Sequence, residues 1–234
     1  CKGRFFMNHL RTVLIIEDSR VQSKIIKKRI QDLCGFEALC ASTMVEARKL
    51  LETGAKDLFA AVIDLNLPDA PDGEAVDLVL SHKVPAVVLT ATFNDDIRKG
   101  FIDRQVADYF FKGTVRDMDP MLTSLERLHK NRFITVMVVD DSKLDRRYMR
   151  WLLDIQRYRV LEAESGSKAL ELLKEHADVR MVITDFVMPD MDGTELTRRI
   201  REKHRKDALS VIGVSSAGSG SLTATFLKNG ANDF

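Results

Sequence analysis

The sequence predicts an α/β protein built from two doubly wound parallel sheets of five strands each. Three observations carry that reading. Short apolar runs bounded by turn residues alternate with stretches of helical hydrophobic spacing, the pattern of strand, crossover helix and parallel strand. Several of the runs end abruptly on a carboxylate. The pattern is also stated twice: VITDFVMPDMDG, Val182 to Gly193, is matched by AVIDLNLPDAPDG, Ala61 to Gly73. Asp18 precedes Asp141 by 123 residues, Asp64 precedes Asp185 by 121, and Thr90 precedes Ser215 by 125. Such similar, drifting offsets describe two diverged copies, each the size of an ordinary domain.

In the first copy, Val13 to Ile16 form an apolar strand that ends in Glu17 and Asp18. Val21, Ile25, Ile30 and Leu33 then recur at near-helical spacing, with Ser19 and Gln22 placed as a capping box and Cys34-Gly35 as the stop. A short strand follows near Phe36 to Cys40, with Cys40 expected in the core. Thr43 and Glu46 open a second helix carrying Val45, Leu50 and Leu51, which stops by Gly54. The Asp64 strand comes next, then a helix near Glu74 to His82, a strand Val84 to Thr90, a helix near Asp95 to Gln105, a strand Val106 to Phe111 and a helix from about Asp117 to Asn131.

Only about three residues separate that last helix from the strand Ile134 to Val139, too short a link for free tumbling. This strand runs into Asp140, Asp141 and Ser142, then a helix with Leu144, Tyr148, Leu152 and Ile155 on one face, expected to point at the core. A strand near Arg159 to Ala163, a helix Lys168 to Glu175 and the strand Val179 to Thr184 lead to Asp185. A basic helix from Glu195 to about Lys206, a strand Leu209 to Val214 and a helix Leu222 to Asn229 follow. The expected domains are therefore residues 11–131 and 132–234. Residues 1–10 fit no element and read as a leader or tag-like segment, with Met7 a candidate start.

Charge and cysteine usage exclude several classes. There are 19 basic against 19 acidic residues up to Asn131 and 17 against 16 beyond it, so neither copy has the basic excess of a nucleic-acid surface. Cys1, Cys34 and Cys40 are odd in number and lack CxxC spacing, which argues against a disulfide framework or a zinc site and for a reducing cytoplasm. The apolar runs are too short to span a bilayer.

Each copy brings acids from two strand ends toward one place: Glu17, Asp18 and Asp64 in the first, Asp140, Asp141 and Asp185 in the second. Clustered carboxylates repel unless a cation or proton intervenes, and hard oxygen ligands with room for water suit Mg2+. A carboxylate beside such a cation can attack phosphorus to give an acyl phosphate, with Asp64 and Asp185 the candidates. A transferring phosphoryl group needs cations and hydroxyl donors around its oxygens. Thr90 and Lys112, at the ends of the fourth and fifth strands, meet that need in the first copy. Ser215, or less well Ser216, supplies the hydroxyl in the second. By the spacing of Thr90 to Lys112, the second lysine would fall near position 237, three residues past Phe234, so the second copy is expected to lack its last strand end and last helix.

The acidic pair after strand one, Asp in D-x-x-x-P after strand three, Thr or Ser after strand four and Lys after strand five resemble the receiver domain of bacterial two-component response regulators. The resemblance runs from about Arg11 to the end. It implies flavodoxin-like sheets of order 2-1-3-4-5, the second truncated, and a regulatory phosphoacceptor module instead of an enzyme. Phosphate would come from a sensor histidine kinase or a phosphotransfer protein onto Asp64 and Asp185. Mg2+ would be held by Glu17, Asp18, Asp64 and the Asn66 carbonyl, and by Asp140, Asp141, Asp185 and the Val187 carbonyl. Thr90 and Ser215 would be switch hydroxyls, and Tyr109 and Phe234 the coupled aromatics. The family commonly carries an output domain, and a GGDEF diguanylate cyclase is a frequent companion of tandem receivers. No partner is expected in nucleic acid or membrane.

The copies depart from each other in Glu17 against Asp140 and in one extra residue between Asp64 and Gly73, and the first departs from the family in Gly113 after Lys112, where the family usually has proline. The alternative is that one copy, the first for preference, is a pseudo-receiver used for dimerisation or docking. A phosphohydrolase of the haloacid dehalogenase type wants an acid two residues after its nucleophile, where this chain has Asn66 and Val187. Two basic stretches, Lys24 with Lys27, Lys28 and Arg29, and Arg198 with Arg199, Arg201 and Lys203, are either solvated faces or docking sites for an acidic partner helix.

Overall fold

A computed structural model describes residues 12–53, 58–91, 100, 104–113, 118–215 and 220–234. The chain divides into two compact units between Lys130 and Asn131. The first unit runs β1 (Thr12–Ile16), α1 (Arg20–Arg29), β2 (Glu37–Ala41), α2 (Met44–Glu52), β3 (Leu58–Asp64), α3 (Glu74–Ser81), β4 (Ala86–Thr90), β5 (Asp108–Phe111) and α4 (Asp119–Asn131). The second runs β6 (Thr135–Val139), α5 (Lys143–Ile155), β7 (Arg159–Ala163), α6 (Gly166–Glu175), β8 (Val179–Asp185), α7 (Gly193–Arg201), β9 (Ser210–Val214) and α8 (Gly220–Lys228).

Every pairing between the named strands is parallel among the described residues. The first sheet has the order β2-β1-β3-β4-β5 and the second β7-β6-β8-β9. The flavodoxin-like order holds in both, and the second sheet, expected to be truncated, has four strands among the described residues. Asp233 makes a single parallel bridge to Ile212 at the open side of β9, with the Gly213 N–H donating to the Asp233 carbonyl.

Burial follows from the topology. All seven residues of β3 are buried, because a central parallel strand is covered on both faces. The helix starts are set by local hydrogen bonds. The hydroxyls of Ser19, Thr43, Ser142 and Ser165 each accept the N–H three residues on, satisfying donors that a first helical turn leaves unpaired. At Thr43 the expected reciprocal arm swings one residue further: the Glu46 carboxylate accepts from the backbone N–H and hydroxyl of Ser42. Helix α1 continues into a π-helical turn, Ile30–Cys34, closed by Gly35 in the left-handed region at φ 67°.

Several boundaries move for identifiable reasons. The strand expected from Val84 starts at Ala86, since Pro85 has no N–H to give and serves only as acceptor to Ala61. The strand expected from Val106 starts at Asp108, after Gln105 turns with φ 64°. Helix α7 stops at Arg201, five residues short of expectation. Its start, Gly193, comes two residues early because Asp192 caps it through the N–H groups of Thr194 and Glu195. Cys40 is exposed, not core, because β2 is an edge strand. The helix expected near Asp95 to Gln105 falls mostly outside the described residues, as does Ser216.

The largest correction concerns α5. Leu144, Tyr148 and Leu152 are exposed, at 76%, 59% and 37%, whereas their i, i+4, i+8 spacing was expected to mark the core face. The helix is rotated so that Arg146 is buried instead. Its guanidinium donates to the Asp140 carbonyl at 2.6 Å and approaches Glu162 at 3.8 Å.

Candidate functional site

Register places the candidate residues. Asp64 ends β3 opposite Leu89, and Thr90 ends β4 opposite Phe111, one residue before Lys112. Glu17 and Asp18 follow β1 directly, and β1 lies beside β3. All five therefore meet at the carboxyl edge of the sheet, where parallel α/β sheets place their ligands.

In the first unit the site is a compact charge cluster. Glu17, Asp64 and Thr90 are buried, while Asp18 is exposed. One carboxylate oxygen from each of Glu17, Asp18 and Asp64 lies within 4.8 Å of the other two. The Lys112 ammonium lies 2.6 Å from Asp64 Oδ2 and 2.7 Å from Glu17 Oε2. Burial by itself would push the Lys112 ammonium down, but its bonds to Asp64 and Glu17 prevail and hold it above the ordinary lysine range. Burial pushes the Glu17 carboxyl above its ordinary range, with Lys112 offsetting part of the rise and Asp64 adding to it. The other oxygens are held by backbone: Ser19 N–H donates to Glu17 Oε1 and Asn66 N–H to Asp64 Oδ1. Tyr109 is half-buried and packs against the core that contains Val88 and Ile63.

The second unit repeats the acids without the lysine. Asp140 and Asp185 are half-buried and Asp141 is exposed. Ser142 N–H donates to Asp140 Oδ1 and Val187 N–H to Asp185 Oδ2. Above them opens a cleft of about 340 Å³ whose walls include Asp140, Asp141, Asp185 and Ser215, together with Asp145, Tyr148 and Met149 from α5. Burial pushes the Asp140 carboxyl up, and the like charges of Asp185, Asp145 and Asp141 push it further, against the Ser142 hydrogen bond. Among the described residues no Lys, Arg or His pairs with Asp140, Asp141 or Asp185. Phe234, the aromatic candidate, meets Phe226 in a tilted ring contact at a centroid distance of 4.8 Å.

Both sets suit a hard divalent cation. In the first, the buried Glu17 Oε2 has its ion pair but no aligned hydrogen bond, so a ligand valence is open. In the second, burial first and then the crowding of Asp185, Asp145 and Asp141 hold the Asp140 carboxyl up, and a cation would relieve that crowding.

Two residues absent from the sequence reading also shape the site. Asp69 accepts from the N–H groups of Met44 and Val45, and Asp190 accepts from those of Gly166 and Ser167. Each therefore ties the loop after the candidate acid to the start of the next-door helix, α2 or α6. The signal was available: each is the Asp after a proline, five residues beyond Asp64 or Asp185. The extra residue of the first loop has a local consequence. Asp72 does not cap α3 as Asp192 caps α7; the start falls to Gly73 at φ 81°, with no side-chain cap.

This architecture and acid arrangement are those of the response regulator receiver domain, and residues 136–234 match that family. The chain is 38% identical over 99 residues to two-component response regulator ORR11 of Oryza sativa subsp. indica, 42% of this chain and 67% of that protein. It is 37% identical over 100 residues to the chemotaxis protein CheY homolog of Campylobacter jejuni, 42% of this chain and 77% of that one. The likeness extends over both units in a solved two-component system response regulator/GGDEF domain protein, 36% identical with a TM-score of 0.85 over 96% of this chain and 90% of that chain. The chain belongs to the response regulator receiver family. No described helix is long and apolar enough to cross a membrane.

Proposed function

We propose that the chain is a cytoplasmic signalling module of two tandem receivers that accepts phosphate from a sensor histidine kinase or phosphotransfer protein onto Asp64 and Asp185. The observation that carries this reading is the repeated placement of an acid at the carboxyl end of the central strand beside two further acids after the neighbouring strand, Glu17 and Asp18 or Asp140 and Asp141. A carboxylate oxygen of Asp64 or Asp185 attacks phosphorus, the phosphorus–nitrogen bond of the donor phosphohistidine breaks, and the electron pair leaves with the imidazole. The product is an acyl phosphate. Glu17, Asp18 and Asp64, with the Asn66 carbonyl, would hold Mg2+ in one unit. Asp140, Asp141 and Asp185, with the Val187 carbonyl, would hold it in the other. Bound Mg2+ neutralises charge on the phosphoryl oxygens. Lys112 supplies a second positive charge at Asp64, and the Thr90 and Ser215 hydroxyls donate to the phosphoryl group once formed.

Added phosphate brings about two negative charges to a half-closed pocket. Thr90 or Ser215 moves to meet them, and Tyr109 or Phe234 repacks behind. The output is a further domain, and the GGDEF domain of the related solved protein makes a diguanylate cyclase the first candidate.

Intact mass after incubation with acetyl phosphate and Mg2+ tests the proposal. Wild type gains phosphate, Asp64→Asn and Asp185→Asn each lose one site, and the double variant gains none. Undiminished incorporation in the double variant sinks the reading. A second reading, the first unit as a pseudo-receiver used for docking or dimerisation, is favoured by the Lys112 bridge that already occupies Asp64. It predicts that Asp185→Asn alone abolishes labelling.

A further inference from the structure

A cavity of about 430 Å³ lies in the second unit between α6 and the end of α7, lined by Leu170, Leu173 and Lys174 on one side and Ile200, Lys203 and His204 on the other. None of these residues belongs to the acid cluster. We propose that this cavity binds a small organic anion with an apolar body, of the aryl- or alkyl-carboxylate class.

The size falls in the range of small-molecule sites, which are roughly 300–1,000 Å³ with an apolar lining and few polar groups. Leu173 and Ile200 form a buried floor, and Leu170 packs beside them against the unit's core. The rim is cationic in a way the fold itself does not neutralise. Arg199 is paired with Glu195 at 2.7 Å, and the one acid at the rim, Glu202, is paired with Arg198 at 2.6 Å. Lys174 and Lys203 have no carboxylate partner among the described residues. Two helix C-termini converge here and disfavour an anion, each with about half a unit of negative charge. Two full ammonium charges exceed that sum and leave the rim positive. An apolar floor under an uncompensated positive rim selects a ligand with a hydrophobic end and a single anionic end. A bare inorganic anion leaves the floor wet, and a neutral apolar molecule leaves the lysines unused.

The test uses the full chain and 4-phenylbutyrate as the probe, followed through backbone amide shifts. The expected result is saturable binding with a dissociation constant on the order of millimolar, as small ligands of this size allow. The shifts should be confined to residues 170–174 and 199–204. Lys174→Glu with Lys203→Glu, two exposed positions, weakens binding at least tenfold, and so does replacing the probe by the neutral 4-phenylbutyramide. Inorganic phosphate gives no saturable shift at these residues. The proposal is overturned if phenylbutyrate gives no saturable shifts, if they map to the cleft at Asp185 or to the exposed face of α5, or if the double charge reversal leaves affinity unchanged. Because Asp185→Asn leaves these residues untouched, it retains phenylbutyrate binding whether or not Asp185 accepts phosphate.

Discussion

Lys112 bridges Asp64 and Glu17, its ammonium 2.6 Å from one carboxylate and 2.7 Å from the other. Glu17 and Asp64 are 2% and 5% exposed, so this cation is what allows two acids to remain together in a site with little water. Removing one partner of a buried ionic group is costly because the charges left behind have lost their hydration. Lys112→Met should therefore destabilise the first unit by about 3–5 kcal/mol in metal-free buffer at neutral pH. Magnesium, or acidification that protonates the carboxylates, should recover part of the loss. Hydrogen exchange of the β3 amides is the measurement. Unchanged protection there would show that the bridge contributes nothing to folding.

The proposed metal set of the first unit can be tested separately from its proposed phosphoacceptor. Glu17→Gln keeps the size and removes one negative charge from the triad Glu17, Asp18, Asp64. Magnesium affinity of that unit should fall about tenfold, since its sites draw their affinity from carboxylate charge. The amide shifts of Ser19 and Asn66, which donate to the triad, report the titration. The same shifts at Ser142 and Val187 should titrate as in wild type. A parallel loss in both units would contradict independent sites.

The strands themselves, the positions of Asp64 and Asp185, and the helix caps at Ser19 and Thr43 were legible because each has a short-range cause: an apolar run, a turn, a hydroxyl three residues from an N–H; the strand order came from the resemblance to a known family. The face of α5 was not. Leu144, Tyr148 and Leu152 have helical spacing, and periodicity identifies an apolar stripe without saying what covers it. Burial of Arg146 depended on two partners elsewhere in the chain, the Asp140 carbonyl and Glu162. The ionic state of the pockets was hidden for the same reason. That Lys112 reaches both Glu17 and Asp64 is a three-dimensional fact joining positions 95 and 48 residues apart.

Asp190 links the loop of the second candidate acid to α6 through the N–H groups of Gly166 and Ser167, at 3.2 and 2.8 Å. Burial is the largest single influence and opposes its charge, but the hydrogen bonds together prevail and lower its carboxyl below the ordinary range. A lowered folded value stabilises the protein above the unfolded aspartate range, and that contribution disappears as pH falls through the folded value. Asp190→Ala should cost about 1 kcal/mol at neutral pH, as lost helix caps do. It should cost nothing at a pH low enough to protonate Asp190 in the folded chain. Thermal unfolding across the acid limb checks the sign; an equal loss at low pH would show that packing, not charge, is responsible.

Gly193 follows the second acid's loop so closely that no side chain fits. Its N–H donates to the Phe186 carbonyl at 2.9 Å. An added Cβ would collide with the carbonyl oxygen of Asp185 and stand 2.8 Å from Phe226 Cζ. Neither neighbour yields easily: one is backbone, and the other is a fully buried ring held edge-on by Phe186 and in tilted contact with Phe234. Gly193→Ala should therefore lose about 1–3 kcal/mol, the usual cost of overpacking, and displace the backbone of Asp185 itself. The matching glycine of the first unit differs. Gly73 stands at φ 81°, and its Cβ would meet the guanidinium of Arg104, the far end of a flexible side chain. There the cost is left-handed backbone strain, roughly 1–2 kcal/mol, with the Asp64 backbone undisturbed. Peptide-resolved mass analysis after acetyl phosphate treatment separates the two cases. Gly193→Ala should lower labelling at Asp185 and spare Asp64, whereas Gly73→Ala should leave labelling at both acids near wild type. Equal effects of the two substitutions on their own acids would mean that the close approach at Asp185 has no bearing on its chemistry.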